Sequence, residues 1–147
     1  MTEWEIQNDF YHWAFKRYQI IVPNIYLYPW ESDVITVTKA NFVNEFEIKL
    51  STADYKKDFE KIERHTILES KSESRPNYFW FICTPDVTNE VPEYAGLIHY
   101  LPDQPNWHRR FTEIKRPPRL HSDKITLDQM RHITESFRWK YWKLRLK

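Results

Sequence analysis

The chain reads as an α/β sandwich. Three observations predict it. Stretches with helical spacing alternate with stretches that switch polarity every second residue, in the order helix, two strands, helix, strand, connector, strand, tail, helix. NYFWFICT is a short, nearly continuous apolar run, as a strand covered on both faces requires. Hydrophobic residues make up 41% and charged residues 29%, a balance that folds. The 147 residues suit a single domain over 1–147, with a core over 1–102 and a basic extension over 103–147.

Each element follows from its residues. In TEWEIQNDFYHWAFKRY, Thr2 and Glu5 carry a capping-box signature, and Ile6, Phe10, Trp13 and Ala14 share a helical face. Pro23 ends any helix before it. ESDVITVTK and NFVNEFEIKL alternate around a short Lys-Ala-Asn turn and predict a β-hairpin. STADYKKDFEKIERHT predicts one helix, with Ser51 as N-cap and Tyr55, Phe59 and Ile62 along its apolar side. ILESKSESRPN is expected as a polar loop, AGLIHYLP as a strand and RFTEIK as a short strand. A last helix starts at Thr126, which pairs with Gln129 in a second capping box. Its expected core stripe is Leu127, Met130, Ile133, Phe137, Tyr141 and Leu144.

Composition excludes several functions. One cysteine, Cys83, rules out a disulfide scaffold and a cysteine zinc cluster. One glycine, Gly96, rules out P-loop and dinucleotide turns, so no small-molecule cofactor is expected. The six histidines lack metal-site spacing, and Cys83 inside an apolar run reads as a structural thiol. No apolar run reaches the roughly 18 residues of a membrane span, and the N-terminus is not a signal peptide. An intracellular protein without a membrane partner is expected. The net charge of +1 conceals a polarity, because residues 1–104 sum to −7 and residues 105–147 to +8. That split suits either an acidic ligand on the tail or two surfaces that neutralise each other.

The hairpin carries the chemistry. Glu45, Glu47 and Lys49 share one face of the second strand, while Asp33, Ile35 and Val37 share a face of the first. A three-residue turn with Asn41 in the left-handed position pairs Thr38 with Phe42 and sets Asp33 opposite Glu47. A two-residue turn would put Asp33 opposite Ile48 and send the carboxylates to opposite faces. Opposed carboxylates repel unless a cation lies between them, and a divalent metal fills that need. Lys49 would project beside it. Glu-x-Lys alone is weak, since Glu69-Ser70-Lys71 and Glu113-Ile114-Lys115 also occur; the setting distinguishes Glu47-Ile48-Lys49. The plainer alternative is an amphipathic edge strand with a solvated charged face.

SDVITVTKANFVNEFEIKLSTADYKKDF resembles the active-site region of the PD-(D/E)xK nuclease superfamily, and most closely its small phage and bacterial members with an E-x-K hairpin and a Ser-x-x-Asp helix. The specific match covers about residues 30–60, and the proline of the superfamily's name is not adjacent to Asp33. The resemblance implies a restriction-endonuclease-like α-β-β-β-α-β core with a mixed central sheet, followed here by the basic C-terminal helix. It implies Mg²⁺ or Mn²⁺ held by Asp33, Glu47, the Ile48 carbonyl and a first-helix glutamate, for which Glu5 is the candidate. Lys49 would be the catalytic lysine of a DNA-cleaving enzyme of bacterial or phage origin, in repair or recombination. Glu31 and Glu45 are further candidate ligands, and Asp54 and Asp58 are candidates for ordering the site.

The tail supplies the expected DNA contacts. Arg109, Arg110, Arg116 and Arg119 flank a double proline; Arg131, Arg138, Trp142 and Arg145 lie roughly on one face of the last helix. The DNA would be duplex, single-stranded or branched, and cutting both strands of a duplex would call for a homodimer. Two other functions fit the same residues: a non-catalytic DNA-binding module on this fold, and a phage or mobile-element protein-interaction domain.

Overall fold

The structure is a computed structural model and describes residues 1–70 and 74–147. Its order is α1 (Glu3–Ala14), β1 (Ile20–Ile25), β2 (Ser32–Val37), β3 (Val43–Ile48), α2 (Thr52–Asp58), α3 (Ile62–Glu69), β4 (Tyr78–Cys83), β5 (Ala95–Tyr100), a 3-10 turn (Trp107–Arg109), β6 (Phe111–Lys115) and α4 (Leu127–Arg145). The six strands form one mixed sheet in sequence order. β1, β2 and β3 are antiparallel, β3, β4 and β5 run parallel, and β6 returns antiparallel.

Two apolar layers hold the sheet. On one face Ile6, Phe10 and Ala14 of α1 pack on Val34, Phe46, Ile48, Ile82 and Ile98. The other face carries Phe79, Phe81 and Leu97 under Leu68 of α3, and Ile35, Val37 and Val43 under Ile133 of α4. Burying one large aliphatic or aromatic side chain is worth about 1.5–3 kcal/mol, so these layers dominate the stability. Gly96 is the close-approach residue: a Cβ there would lie 2.7 Å from both Pro117 Cδ and Trp80 Cε3. The chain after β6 is strapped to the sheet by Asn77, whose Nδ2 donates to the carbonyls of His121 at 2.9 Å and Asp123 at 2.8 Å.

The hairpin has the expected turn. Thr38 N donates to Phe42 O at 2.9 Å, and Asn41 sits at φ 72°. Both capping boxes form, at Thr2/Glu5 and at Thr126/Gln129.

Three expectations give way. Ile20–Ile25 is a strand, where Pro23 had marked only a helix end; β1 is the sheet edge, the one place a strand interior tolerates proline. The single helix over 51–66 is two, because Asp58 turns inward at the end of α2 and leaves Ile62 72% exposed. Helix α3 then runs to Glu69 into the expected polar loop, of which residues 71–73 lie outside the described residues. The core stripe of α4 is reduced to Ile133, with Leu127, Phe137, Tyr141 and Leu144 exposed. Met130 is half-buried, and the rest of that stripe is in solvent from the first residue of the helix, Leu127, onward. Among the described residues no helix is long and apolar enough to cross a membrane.

Candidate functional site

The site lies where β3 ends and β2 begins. Val34 pairs with Phe46, so the next residues outward, Asp33 and Glu47, stand opposite each other on one face. Asp33 Oδ2 accepts from the Ile48 amide at 2.7 Å, which ties the aspartate across the strand pair. Ile48 thus enters the site through its amide. The backbone of Asp33 is fixed from the other side, where Gln7 of α1 donates to its carbonyl at 2.8 Å and to Asn24 Oδ1 at 3.1 Å.

The first-helix carboxylate beside Asp33 is Glu3. Glu5 closes the capping box, its Oε2 accepting from Thr2 N at 3.3 Å, and it is exposed. Glu3 sits earlier in the same turn, and its Oε1 is buried without a hydrogen-bond partner. The Asp33 carboxyl is pushed up to about 9, first by burial, then by the Glu47 charge and the Glu3 carboxyl. The Ile48 amide offsets only part of that. Asp33 therefore keeps its proton at neutral pH beside the Glu3 carboxyl, and among the described residues no Lys or Arg pairs with either acid. The sequence signal for Glu3 was exclusion: a capping box occupies Glu5 and leaves the other acid of the first turn unassigned.

Below this pocket the charges are matched. Lys49 Nζ lies 2.7 Å from Asp58 Oδ1 and 3.2 Å from Glu47 Oε1. Arg64 Nη1 lies 3.3 Å from Glu47 Oε2, and its Nη2 bonds Asp58. His65 Nε2 lies 2.7 Å from Asp58 Oδ2 and 3.0 Å from the Asp58 carbonyl. Both of those neighbours are acceptors, so Nε2 carries a proton on that side, and Nδ1 hydrogen-bonds with the Tyr94 hydroxyl. All of Glu47, Lys49, Asp58, Arg64 and His65 are buried. Burial alone would raise Asp58, but the bonds from His65, Arg64 and Lys49 hold it well below the usual carboxylate range. Burial likewise would lower Lys49, yet Glu47, Asp58 and Asp54 raise it, so it is held as an ammonium. A lysine so held is a fixed positive charge and not a base.

The other carboxylates divide. Glu45 is fully buried, accepts from Trp30 Nε1 and Ser32 Oγ at 2.7 Å each, and is pushed up to about 7 chiefly by burial. Glu31 is exposed and stands near Lys140 of α4. Asp54 Oδ2 accepts from Leu50 N at 3.1 Å and so caps the end of the hairpin.

Oxygen donors of this type suit Mg²⁺ or Mn²⁺. Glu3 Oε1 is buried without a hydrogen-bond partner, and Asp33 holds a proton that a bound cation would displace, so the donor chemistry fits such an ion. Among the described residues no three ligating side chains stand at coordinating spacing, because Glu47 leans toward Lys49 and Arg64.

The expected DNA contacts are not gathered in one place. Arg109 is exposed on the 3-10 turn, whereas Arg110 is engaged, with Asp9 Oδ2 at 2.9 Å and the Gln104 carbonyl at 2.7 Å. Arg116 pairs loosely with Glu113 at 3.4 Å. Arg119 donates to the Tyr78 hydroxyl at 3.0 Å and lies 4.7 Å from the Phe42 ring centre. Tyr78 begins β4 and Phe42 immediately precedes β3, so Arg119 is at the other end of the sheet from Lys49, roughly 15 Å away by strand rise. Arg131 pairs with Asp128 at 3.2 Å on the exposed side of α4. Arg138, Trp142 and Arg145 lie on the second half of α4, with the Arg145 guanidinium 5.7 Å from the Trp142 ring centre.

No family model matches this chain, and no curated protein does. Among solved structures, the SPO1766 protein of unknown function from Silicibacter pomeroyi has a similar fold. The TM-score is 0.61 at 13% identity, over 86% of this chain and 79% of that one. The likeness concerns the fold alone.

Proposed function

We propose that the protein is a divalent-metal-dependent nuclease acting on DNA, of the PD-(D/E)xK type. One observation carries the reading: Asp33 and Glu47 stand opposed at the sheet end, with the Lys49 ammonium two residues on. The order α1, β1–β3, α2/α3, β4 supports it, because the helix, three strands, helix, strand core of that superfamily has this succession. The third strand of that core is supplied here by β1.

Asp33, Glu47 and Glu3 would hold Mg²⁺ or Mn²⁺. When bound, the ion supplies Lewis acidity and a water acidic enough to attack a phosphodiester at neutral pH. The chain's own groups do the rest. Lys49 offers a preorganised positive charge to the extra negative charge that gathers on the phosphoryl oxygens during attack. Asp58 holds that charge in place, and Arg64 pairs with Glu47 beside it. The Ile48 amide fixes the orientation of Asp33.

A second reading has its own observation. Lys49 and Glu47 are both 4% exposed and mutually paired, the condition of a chain that keeps the fold and binds DNA without cutting it. Cleavage of single-stranded, duplex and branched DNA in Mg²⁺, Mn²⁺ or EDTA separates the two. The nuclease cuts only with metal, and Lys49→Ala, assayed below its lowered melting temperature, loses at least about a hundredfold in rate with DNA affinity near wild type. Equal binding with metal or EDTA and no cutting anywhere assigns the binding module. Cutting by Lys49→Ala at the wild-type rate removes Lys49 from the reaction.

A further inference from the structure

We infer that the second half of α4 is a stacking platform for unpaired bases, which delivers single-stranded DNA to the carboxylate end of the sheet. The inference deepens the nuclease reading and rests on it for its purpose, though not for its test.

The position of α4 is fixed at both ends. Ile125 N, just before the helix, donates to the Asn41 carbonyl at 2.8 Å, at the hairpin turn. Lys140 Nζ donates to the carbonyls of Pro23 at 2.9 Å and Asn24 at 3.0 Å, at the other end of β1. Asn24 lies between Pro23, which pairs with Val34, and Ile25, which pairs with Ser32, and is therefore level with Asp33. Gln7 completes the link, bonding both Asn24 Oδ1 and the Asp33 carbonyl. The helix thus runs from the turn end of the sheet to the carboxylate end. Its 19 residues span about 28 Å, against about 20 Å for a six-residue strand. Residues 141–147 overhang the end where Asp33 and Glu47 lie.

The overhang has the chemistry of a single-strand site. Trp139 is 63% exposed and Trp142 49% exposed. Nine helical residues separate Trp142 from the buried Ile133, so Trp142 points about opposite to it, away from the sheet. No rearrangement of the core can absorb that ring. Cations sit beside the rings: Lys143 Nζ lies 4.6 Å from the Trp139 ring centre, and Arg145 flanks Trp142. Rings and positive charges interleaved along one exposed edge match a strand of bases and phosphates. Bases within a duplex have both faces covered by their neighbours, so only unpaired bases can use the rings.

The charge and the layout disfavour other occupants. Residues 127–147 carry six Lys and Arg against two acids, so two copies of α4 laid together repel. A helix lying in a lipid surface gathers its apolar residues on one face. Here Trp142 and Leu144 face different ways, and cations stand between the rings.

The test measures binding in EDTA, where nothing is cut. A fluorescent dT20 strand and a 20-base-pair duplex are titrated with the wild type and with the Trp139→Ala/Trp142→Ala double variant. The wild type should prefer dT20 by about tenfold or more. The double variant should lose about tenfold to a hundredfold on dT20, keep its duplex affinity and keep its melting temperature, because both rings are exposed. Unchanged dT20 affinity in the variant overturns the platform. So does an equal loss on both DNAs, loss of a dimer in sedimentation, or loss of binding to anionic phosphatidylglycerol vesicles with dT20 binding unaltered. Failure of the nuclease reading appears separately: ring-dependent dT20 binding with no metal-dependent cutting retains the platform and rejects the enzyme. Metal-dependent cutting with undiminished preference for single strands in the variant rejects the platform and retains the enzyme.

Discussion

The two halves of the candidate site bury acids of the same kind and treat them oppositely. Asp33 and Glu3 face each other with only the Ile48 amide to soften the charge, and Asp33 is pushed up to about 9. Asp58, which is more deeply buried, receives Lys49, Arg64 and His65 and is nevertheless held well below the usual range. Burial raises both carboxyls, so burial does not decide between them. The number of Lys, Arg and ring N–H donors around each does. One half is a closed ion cluster that needs nothing more; the other is a charge deficit that a small cation would relieve.

The largest expected effect comes from breaking the closed half. Asp58→Ala leaves Lys49 and Arg64 buried with Glu47, and for Lys49 the more distant Asp54, and should cost about 3–5 kcal/mol in urea unfolding at neutral pH. A loss under about 1 kcal/mol would mean the cluster relaxes into water and is not the fixed frame described above. Because Asp58 is lowered on folding, its stabilisation is present above the unfolded carboxyl value near 4 and fades as pH falls below it.

The open half should respond with the opposite sign. Asp33 is raised, so in the metal-free protein its contribution favours folding less and less as pH climbs from about 4 to its folded value of about 9. Asp33→Asn keeps an acceptor for the Ile48 amide and removes the charge. In EDTA at pH 8 it should therefore be more stable than wild type, with the gain vanishing near pH 4. With Mn²⁺ added, calorimetry should show binding to the wild type and none to the variant. An Asp33→Asn protein less stable than wild type at pH 8 would show that the aspartate is already balanced.

The smallest effect sharpens the comparison within one helical turn. Glu3→Gln should weaken Mn²⁺ binding about tenfold and leave helix stability alone. Glu5→Gln should leave metal binding alone and cost at most about 1 kcal/mol, since glutamine still closes the box. Reversed results would return Glu5 to the site.

Local features were legible wherever chain neighbours decide the outcome. Both capping boxes read directly, because an N-cap and the residue three positions later meet within one turn. The hairpin register read equally well: Asn41 accepts the left-handed conformation, and strand parity then sets Asp33 against Glu47. Those two facts carried the pairing of the acids before any fold was known. Strand β1 was obscured by Pro23, since only the neighbours in a sheet show that a strand lies at its edge. The break after Asp58 was equally hidden, as it depends on a lysine from β3 and an arginine from α3 arriving at the same carboxylate.

The sequence by itself determined the alternation of elements, the helix starts and the face each hairpin residue takes, because these depend on spacing along one chain. Only the tertiary structure decided which charges are paired. It set Glu3 rather than Glu5 beside Asp33, closed Asp58 around Lys49, and carried the end of α4 past the sheet. A pKa or an exposed ring depends on what comes near in space, and residues from distant parts of the chain supply that.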